Sequence, residues 1–475
     1  MTETAPFARA RFTSFVSLGA GELVSRVIAF IATATLTRRL GASGFGELAF
    51  AAAISGYLLL VPNAALQDLG ARAVAQDPSN AARIGAEVTR VRVAISLLGT
   101  VAVSLLALGL PTSNTVKALV ALSSLSVVGQ ALNASWVYKA LERTASVGVA
   151  LVITQLVTLL GVVLLIAHPG DLLRVPAVQG AGELAAAIVL LPLIWRGWRG
   201  GSFQNGVRML RGAGTVIVNR LLRSVIVSAD MILLGFLAAS ADVGRYSAAY
   251  RVCFLLTAIA TSAHAVFQPS LLRAHDDPDA ASAVLTDSVA LAGTVGMPLV
   301  VGGVIVAPDL LALLFGEPFR AAEGAFRILL IGMAMLFLHG TMQPAYLARR
   351  ALTVQTAVIG GAAALNLGLN AVLIVPLGIV GAAIATAAAE AVILCAHIVI
   401  LSRWKWRADF RVLSKPALAV AGMGVVMYLL PASWHVVVRM TAGGVAYLIL
   451  LWGLGGIPAS QLSAFPRRLP GNRAG

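Results

Sequence analysis

The chain has 475 residues, 59% of them hydrophobic and only 12% charged, which excludes an ordinary soluble globular protein. Its formal net charge of +15 is spread over alternate loops rather than gathered into one patch, which excludes a nucleic-acid partner and points to membrane topology.

Apolar runs of about twenty residues recur from end to end, each long enough for roughly 30 Å of hydrocarbon. They predict an all-α polytopic membrane protein with about fourteen transmembrane helices. The first two spans are placed at 14–36 and 45–67. Glu22 and Arg26 interrupt the first run, so it reads as a retained helix and not as a cleaved signal sequence. One turn apart, these two can satisfy each other as an i, i+4 pair. Spans three to six follow at 91–110, 115–137, 145–167 and 174–195. Lys139 closes the fourth, and Glu183 sits in the sixth.

The seventh span, 213–237, carries Asn219, Arg220, Arg223 and Asp230. At 100° per residue, Asn219, Arg223 and Asp230 fall within about 40°, with Arg220 about 60° further round. An ionised side chain near the bilayer centre costs about 2.5–3.5 kcal/mol, so this polar stripe must face protein or water. The eighth span, 243–268, adds Arg251. Spans nine to twelve are placed at 285–307, 324–346, 352–374 and 377–401, and the last pair at 415–431 and 436–454. Asn366 and Asn370 lie one turn apart on the eleventh, with Thr386 and Glu390 on the twelfth.

With the N-terminus in the cytoplasm, most of the 35 Lys and Arg fall in cytoplasmic segments. Dense groups are Arg72/Arg83/Arg90/Arg92, Arg196/Arg199/Arg208/Arg211 and Arg403/Lys405/Arg407/Arg411/Lys415. An even number of spans returns the basic tail to the same side, so both termini are expected in the cytoplasm. Arg38-Arg39, placed outside, is the local exception. Cys253 and Cys395 read as small packing residues without disulfide or metal. Pro62, Pro192, Pro298 and Pro344 read as bends within spans. Asp277-Pro-Asp279 has the D-x-D form of metal-dependent glycosyltransferases, yet it precedes a helical run and reads as a helix start. His264, His339 and His397 each stand alone on apolar stretches and read as polar helix contacts. Glu183 and Glu390 are the proton-relay candidates, since a buried carboxyl can titrate near neutrality.

A weak repeat organises the chain. Gly41-Ala-Ser-Gly-Phe-Gly faces Ala239-Ser-Ala-Asp-Val-Gly at an offset of about 198. Tyr138-Lys-Ala-Leu-Glu-Arg faces Tyr346-Leu-Ala-Arg-Arg-Ala at about 208, and Val175-Pro176 and Val375-Pro376 open the sixth and twelfth spans. Three landmarks in order predict an N-terminal six-helix bundle at 1–200 and a second at 201–410. Two additional helices and a basic tail make up 411–475. Repeats of like orientation around a central path are a recurrent transporter plan.

The buried charge suggests the cargo. Two arginines share one nearby acid in the seventh span, and an excess of guanidinium suits a phosphate-bearing amphiphile. Arg26, Lys139, Arg220, Arg223 and Arg251 are the candidate substrate-binding residues. Asp230, Asn366, Asn370 and Thr386 together offer one carboxylate, two amide carbonyls and a hydroxyl, oxygen ligands suited to a hard cation. No catalytic group stands out, and no segment between spans is long enough for a soluble catalytic domain. A multidrug or cation antiporter would favour an acidic cavity, and a membrane-bound polymerase or glycosyltransferase would need a sizeable outward loop. A non-catalytic scaffold for polysaccharide assembly is the third alternative.

Several stretches resemble a known family. They are Leu36-Thr-Arg-Arg-Leu-Gly-Ala-Ser-Gly-Phe-Gly, Asp68-Leu-Gly-Ala-Arg-Ala-Val-Ala and Asp230-Met-Ile-Leu-Leu-Gly, then Val243-Gly-Arg-Tyr-Ser-Ala-Ala-Tyr. Leu313-Leu-Phe-Gly-Glu-Pro-Phe-Arg-Ala-Ala and Val375-Pro-Leu-Gly-Ile-Val-Gly-Ala-Ala-Ile-Ala complete the set. Across nearly its whole length the chain resembles the polysaccharide- and oligosaccharide-lipid flippases, of the O-antigen-transporter type, in the multidrug/oligosaccharidyl-lipid/polysaccharide exporter superfamily. The resemblance implies two six-helix bundles around an electropositive central cavity. It further implies a polyprenyl-diphosphate-linked oligosaccharide as cargo, membrane lipids around the tail, and polysaccharide assembly enzymes as further partners. The expected location is the cytoplasmic (inner) membrane, with no cofactor beyond sodium or a proton as coupling ion. Lipid II flippases of the superfamily carry a sodium site between the seventh, eleventh and twelfth helices, where Asp230, Asn366, Asn370 and Thr386 occupy similar places. Asn370 departs from the pattern, standing where an acid is common.

Overall fold

The structure, a computed structural model, describes residues 5–59, 65–210, 214, 217, 229–431 and 433–456. Every regular element among them is a helix. In the first half these are α1 (Ala5–Leu59), α2 (Leu66–Gln76), α3 (Ala81–Leu108), α4 (Asn114–Leu132), α5 (Ser135–Ala140), α6 (Thr144–Leu165), α7 (Val175–Trp195) and α8 (Phe203–Leu210). There follow α9 (Ser240–Arg273), α10 (Pro278–Ile305), α11 (Ala307–Phe315), α12 (Glu323–Gly340), α13 (Gln343–Ala348), α14 (Leu352–Arg403), α15 (Ser414–Leu429) and α16 (Val436–Gly453). Residues 229–237 are helical throughout and close the seventh expected span.

Ten helices among the described residues are long and apolar enough to cross a membrane, or eleven if the bent pair Ser240–Thr261 and Val266–Arg273 is one span. The fourteen expected spans are therefore not resolved one by one. At 55 and 52 residues, α1 and α14 are each far longer than the roughly 20 residues a bilayer needs. Each is two helices merged across a kink, so α1 takes up the first two expected spans and α14 the eleventh and twelfth. The kinks fall at Gly41 (φ 69°, ψ −179°) and Gly378 (φ 55°, ψ −132°), backbone conformations that only glycine adopts without strain. Most of the seventh span lies outside the described residues.

The chain gathers into two compact units, one of Met1–Ala248, Leu314–Phe319 and Leu367–Ala382, the other of Ala249–Leu313, Arg320–Asn366 and Ala383–Gly475. In the first, α1 packs on α6 and α4, α6 on α7, and α3 on α4. Small residues permit this closeness. A methyl group at Gly21 would lie 2.6 Å from the Cα of Gly148, so α1 and α6 touch backbone to backbone, as glycine-rich helices do in lipid. In the second, α10 packs on α12 and α15, and α15 on α16.

The repeat reappears as geometry. An offset of 208 carries Leu132 to Gly340, Ser135 to Gln343, Ala140 to Ala348 and Thr144 to Leu352, and each pair ends or opens a helix. The turn between these helices is also the same. Glu142 (φ 58°) and its counterpart Arg350 (φ 54°) both adopt the left-handed conformation of a helix C′ residue. The amide of Arg143 donates to Tyr138 O at 2.9 Å, and that of Ala351 to Tyr346 O at 2.7 Å, the six-to-one bond of a Schellman cap. The 198 offset gives a reciprocal contact within the first unit. A methyl group at Gly46 would overlap the carbonyl of Ser240, and one at Gly244 would overlap the carbonyl of Ala42. Positions equivalent in the repeat thus meet face to face, each helix start lying on the other. The third landmark differs: Val175 opens α7, whereas Val375 lies inside α14, just before the Gly378 kink.

Basic residues do more than mark sides of the membrane. Arg39, half of the external exception, donates from Nη1 to the carbonyls of Val162, Val163 and Ile166 at 3.0, 2.8 and 2.6 Å, closing the C-terminus of α6. Arg92 is fully buried, with Nη1 2.9 Å from Asn133 O and Nη2 2.9 Å from Gln130 O at the end of α4. Arg90 donates to the carbonyls of Trp198 and Gly201. Glu87 complements it, accepting from Ser202 N at 2.9 Å and from Asn205 Nδ2 at 3.1 Å where α8 begins. A hydrogen bond from a charged donor contributes about 1.5–3 kcal/mol, and lysine cannot span both carbonyls as the guanidinium fork does. Arg92→Lys should therefore lower stability by about 2 kcal/mol, read as a lower melting temperature of the detergent-solubilised protein; an unchanged melt would remove Arg92 from the cap.

Other expectations meet the structure unevenly. Asp277 is the cap of α10, its Oδ1 accepting from Asp279 N at 2.9 Å and Ala280 N at 3.1 Å, with Pro278 opening the helix. Pro192 and Pro298 lie inside α7 and α10, but Pro344 starts the short α13 instead of bending a span, and Pro62 is outside the described residues. Cys253 is buried as expected, whereas Cys395 is exposed and so is not a packing residue within this chain.

Candidate functional site

Asp230 is fully buried, and one residue brought to it is Tyr246. The Tyr246 hydroxyl donates to Asp230 Oδ2 at 2.6 Å, and the Met231 amide donates to Oδ1 at 2.8 Å. Tyr246 sits in the first turns of α9, two residues after Gly244 and its reciprocal contact. Arg245 steadies the same turn, with Nη1 2.8 Å from Asp242 Oδ1 and Nε 3.1 Å from Pro318 O. The sequence sets Asp230 against arginines and amides, not against a phenol. The signal was present, because Tyr246 belongs to the Val-Gly-Arg-Tyr motif of the repeat.

Asn366 and Asn370, both fully buried, lie one turn apart on α14 before the Gly378 kink, and Thr386, 7% exposed, lies after it. Asp230 and Asn370 belong to the first compact unit, Asn366 and Thr386 to the second. Thr386 Oγ1 is a buried hydroxyl without a hydrogen-bond partner among the described residues. Each of the four side chains carries an oxygen donor of the kind that suits a hard cation rather than a soft metal.

The candidate phosphate ligands divide. Arg220 and Arg223 lie outside the described residues. Arg26 is exposed on α1, its Nη2 3.8 Å from Glu22 Oε2, a loose i, i+4 pair that leaves the guanidinium open to another partner. Lys139 is exposed at the end of α5, where its own carbonyl takes part in the repeated cap. Arg251 is exposed on α9, about 16 Å along the helix from its start.

The two relay candidates differ in company. Glu183 on α7 takes a hydrogen bond from Asn133 at the end of α4. Glu390 on α14 has its Oε2 2.6 Å from Nε2 of His339 on α12. His339 thus makes the polar contact between helices expected from sequence, and it has further company. Its ring lies 5.7 Å from that of His397, which lies 4.9 Å from Tyr346, and Tyr346 in turn is 5.3 Å from Trp404. His264 reaches the same region from α9: its Nε2 is 3.1 Å from Phe337 O, and a methyl group at Gly340 would overlap its ring. Glu390 and His397 are two turns apart on one helix face, a spacing visible in sequence, but His339 lies 51 positions from Glu390.

Two cavities of about 240 Å³ are present among the described residues. One, in the first unit, is lined by Gly46, Glu47, Phe50, Thr112, Ser113 and Ser240. The other, in the second, is lined by Met342, Ile398, Leu401, Ser402, Trp406 and Arg407, beside the aromatic and histidine cluster.

Comparison with known proteins places this geometry. Residues 13–275 match the model of the family described as polysaccharide biosynthesis protein. A protein named probable flippase AglR, from Haloferax volcanii, is 32% identical over 163 residues, 33% of this chain and 34% of that one. The chain thus matches about a third of the length of this curated relative. Among solved structures, the lipid II flippase MurJ in an inward closed conformation superposes with a TM-score of 0.77 at 14% identity, covering 92% of this chain and 98% of that one. A multidrug resistance MATE family transporter in an inward-facing conformation gives 0.60 at 12% identity, covering 82% and 99%. At such identities these likenesses speak for the fold, an all-α transporter fold.

Proposed function

The chain belongs to the polysaccharide biosynthesis protein family, and from that premise we propose that it is a flippase for a polyprenyl-diphosphate-linked oligosaccharide. It moves this lipid from the cytoplasmic to the outer leaflet of the cytoplasmic membrane by alternating access, for cell-surface polysaccharide synthesis. Both termini lie in the cytoplasm. The observation that carries the reading is the extent of the fold likeness: 92% of the chain at a TM-score of 0.77 with a lipid II flippase, against 0.60 with a multidrug transporter. The basic character of the intramembrane charge agrees, since a multidrug or cation antiporter would favour acids.

Guanidinium groups take the diphosphate. Arg26 and Arg251 are exposed within apolar helices, and Arg220 and Arg223 share the seventh span with Asp230. A planar fork binds phosphate oxygens in pairs, while the lipid tail stays in the bilayer and needs no site. Lys139 adds a point charge at a helix end. The repeats rock against one another to expose the cargo to each side in turn. A cation drives the return step: Asp230, Asn366, Asn370 and Thr386 would hold sodium, and the carboxyls of Glu183 and Glu390 would carry a proton. Polysaccharide assembly enzymes are the expected neighbours.

The test is flipping of a short-chain polyprenyl-diphosphate oligosaccharide in reconstituted vesicles. Arg220→Ala and Arg223→Ala should each reduce the rate about 10- to 100-fold, the loss of one charge-assisted hydrogen-bond pair of about 1.5–3 kcal/mol. Lysine at either position should rescue only in part, because it keeps the charge and loses the fork. Full activity of the double alanine variant would exclude a phosphate role for this span.

A further inference from the structure

The second compact unit contains a buried titratable cluster of which the flippase reading uses only Glu390. His339 is 3% exposed, His397 1% and Tyr346 0%, and the Glu390 side chain is 13% exposed. They come from three helices, α12, α13 and α14. A histidine that only filled space would not need a carboxylate 2.6 Å from its Nε2. That distance requires a proton in the contact, since two acceptors cannot approach so closely. Neutral imidazole supplies that proton from Nε2, and the pair then carries −1. A further proton is taken at His339 Nδ1, which has no hydrogen-bond partner among the described residues, and brings the pair to neutrality.

The groups that face this pair tune it without replacing it. From α9 comes His264, from α13 Tyr346, and from α14 His397, while α10 meets α12 through an apolar contact of Gly296 with Phe337. The nearest fixed positive charge in the chain of rings is Arg349, stacked 4.8 Å over Trp406. The cavity of about 240 Å³ lined by Ile398, Leu401 and Trp406 is joined to the cluster through the ring contacts of Trp406 with Trp404 and of Trp404 with Tyr346, and has room for several waters. It lies beside the Arg403/Lys405/Arg407 loop, which the proposed topology places in the cytoplasm.

We propose that the His339–Glu390 pair, backed by His397 and Tyr346, is a proton-binding site of this carrier, through which transport is coupled to proton entry. The ligand is a single proton. The pair joins α12 to the part of α14 beyond the Gly378 kink, so binding or loss of the proton changes the charge at the tie between these two helices. The proton is released toward the cytoplasm by way of the Trp406 cavity. The coupling part rests on the flippase reading; the proton-binding part does not.

The experiment therefore has two arms. In the first, infrared difference spectra of the substrate-free full-length protein are recorded between about pH 5 and pH 8, the range in which imidazole titrates. A carboxyl band that is absent in Glu390→Gln and displaced in His339→Gln is expected; no band assignable to Glu390 overturns the site. In the second, vesicles of phosphatidylethanolamine and phosphatidylglycerol carry the protein and a short-chain polyprenyl-diphosphate oligosaccharide, with and without an imposed pH gradient. The parent should flip several-fold faster with the acidic side corresponding to the cell exterior, and Glu390→Gln and His339→Gln should lose that response. A gradient response retained in both variants overturns the coupling. A normal titration with no flipping under any gradient supports the proton site and overturns the flippase reading. Glutamine at 339 keeps a donor for Glu390 but cannot become charged, so it decides the question even if Glu390→Gln does not fold.

Discussion

Gly46→Ala and Gly244→Ala should each strip the protein of most of its transport activity and lower its melting temperature sharply. The added methyl groups would overlap the carbonyl oxygens of Ser240 and Ala42 respectively, and these are backbone atoms that cannot swing aside. The obstruction lies between two helix starts, one entered from the Gly41 kink and the other opening α9. Overpacking a tight contact costs about 1–3 kcal/mol and sometimes more. Because each glycine lies on the carbonyl facing its repeat mate, the double variant should be worse than either single one and not compensatory, since both changes push the same two backbones apart. Gly361→Ala is the control. Nothing lies within 4 Å of the position a methyl would take there, so alanine should leave stability unchanged or raise it by up to about 1 kcal/mol. Thermal melts in detergent, paired with flipping in vesicles, decide the matter. If Gly244→Ala melted like Gly361→Ala, the reciprocal contact would not be part of the fold.

The same glycines show how much the sequence could reveal. The offset of 208, first visible as Tyr138 opposite Tyr346, reproduces helix limits and a left-handed cap at Glu142 and Arg350. Local chemistry determines both, so both were legible. That Gly46 and Gly244 press on one another was not, because periodicity tells which face of a helix is small but not which helix meets it. Arg39 illustrates the same limit. In sequence it is a charge on the unexpected side of the membrane; in space it closes the open carbonyls of α6, more than a hundred residues away. The histidines read correctly as polar helix contacts, but their partners were hidden for the same reason. Each is isolated on its own apolar stretch, and the polar partner of His339 arrives from another helix. Asp230 lay in between: its burial was foreseeable from its apolar surroundings, whereas its phenol partner was recognisable only as part of a motif.

The largest ion-dependent effect should come from Tyr246→Phe and Asp230→Asn. Asp230 is fully buried, and its Oδ2 is engaged by the Tyr246 hydroxyl at 2.6 Å. Removing a donor from a charged acceptor costs about 1.5–3 kcal/mol, so Tyr246→Phe should melt lower in the absence of a coordinating cation. The two readings of Asp230 then separate. As a sodium ligand, its freed oxygen should turn to the cation, and sodium should restore the lost stability of Tyr246→Phe while potassium and choline do not. Binding to the folded protein stabilises by RT ln(1 + [L]/Kd), about 2.7 kcal/mol when the ion is at roughly 100 times Kd. Asp230→Asn should abolish that sodium-dependent gain in either background, because an amide keeps the oxygen but loses the charge. As the counter-ion of Arg223 alone, Asp230 should show no salt selectivity. Arg223→Ala/Asp230→Asn should then recover much of the stability that either single change loses, since neither variant charge remains uncompensated. Melts of the parent and these variants in the three chloride salts require no transport substrate. Equal melting in sodium, potassium and choline, for the parent and for Tyr246→Phe alike, would remove sodium from Asp230 and leave the carboxylate to balance the arginines of its own helix.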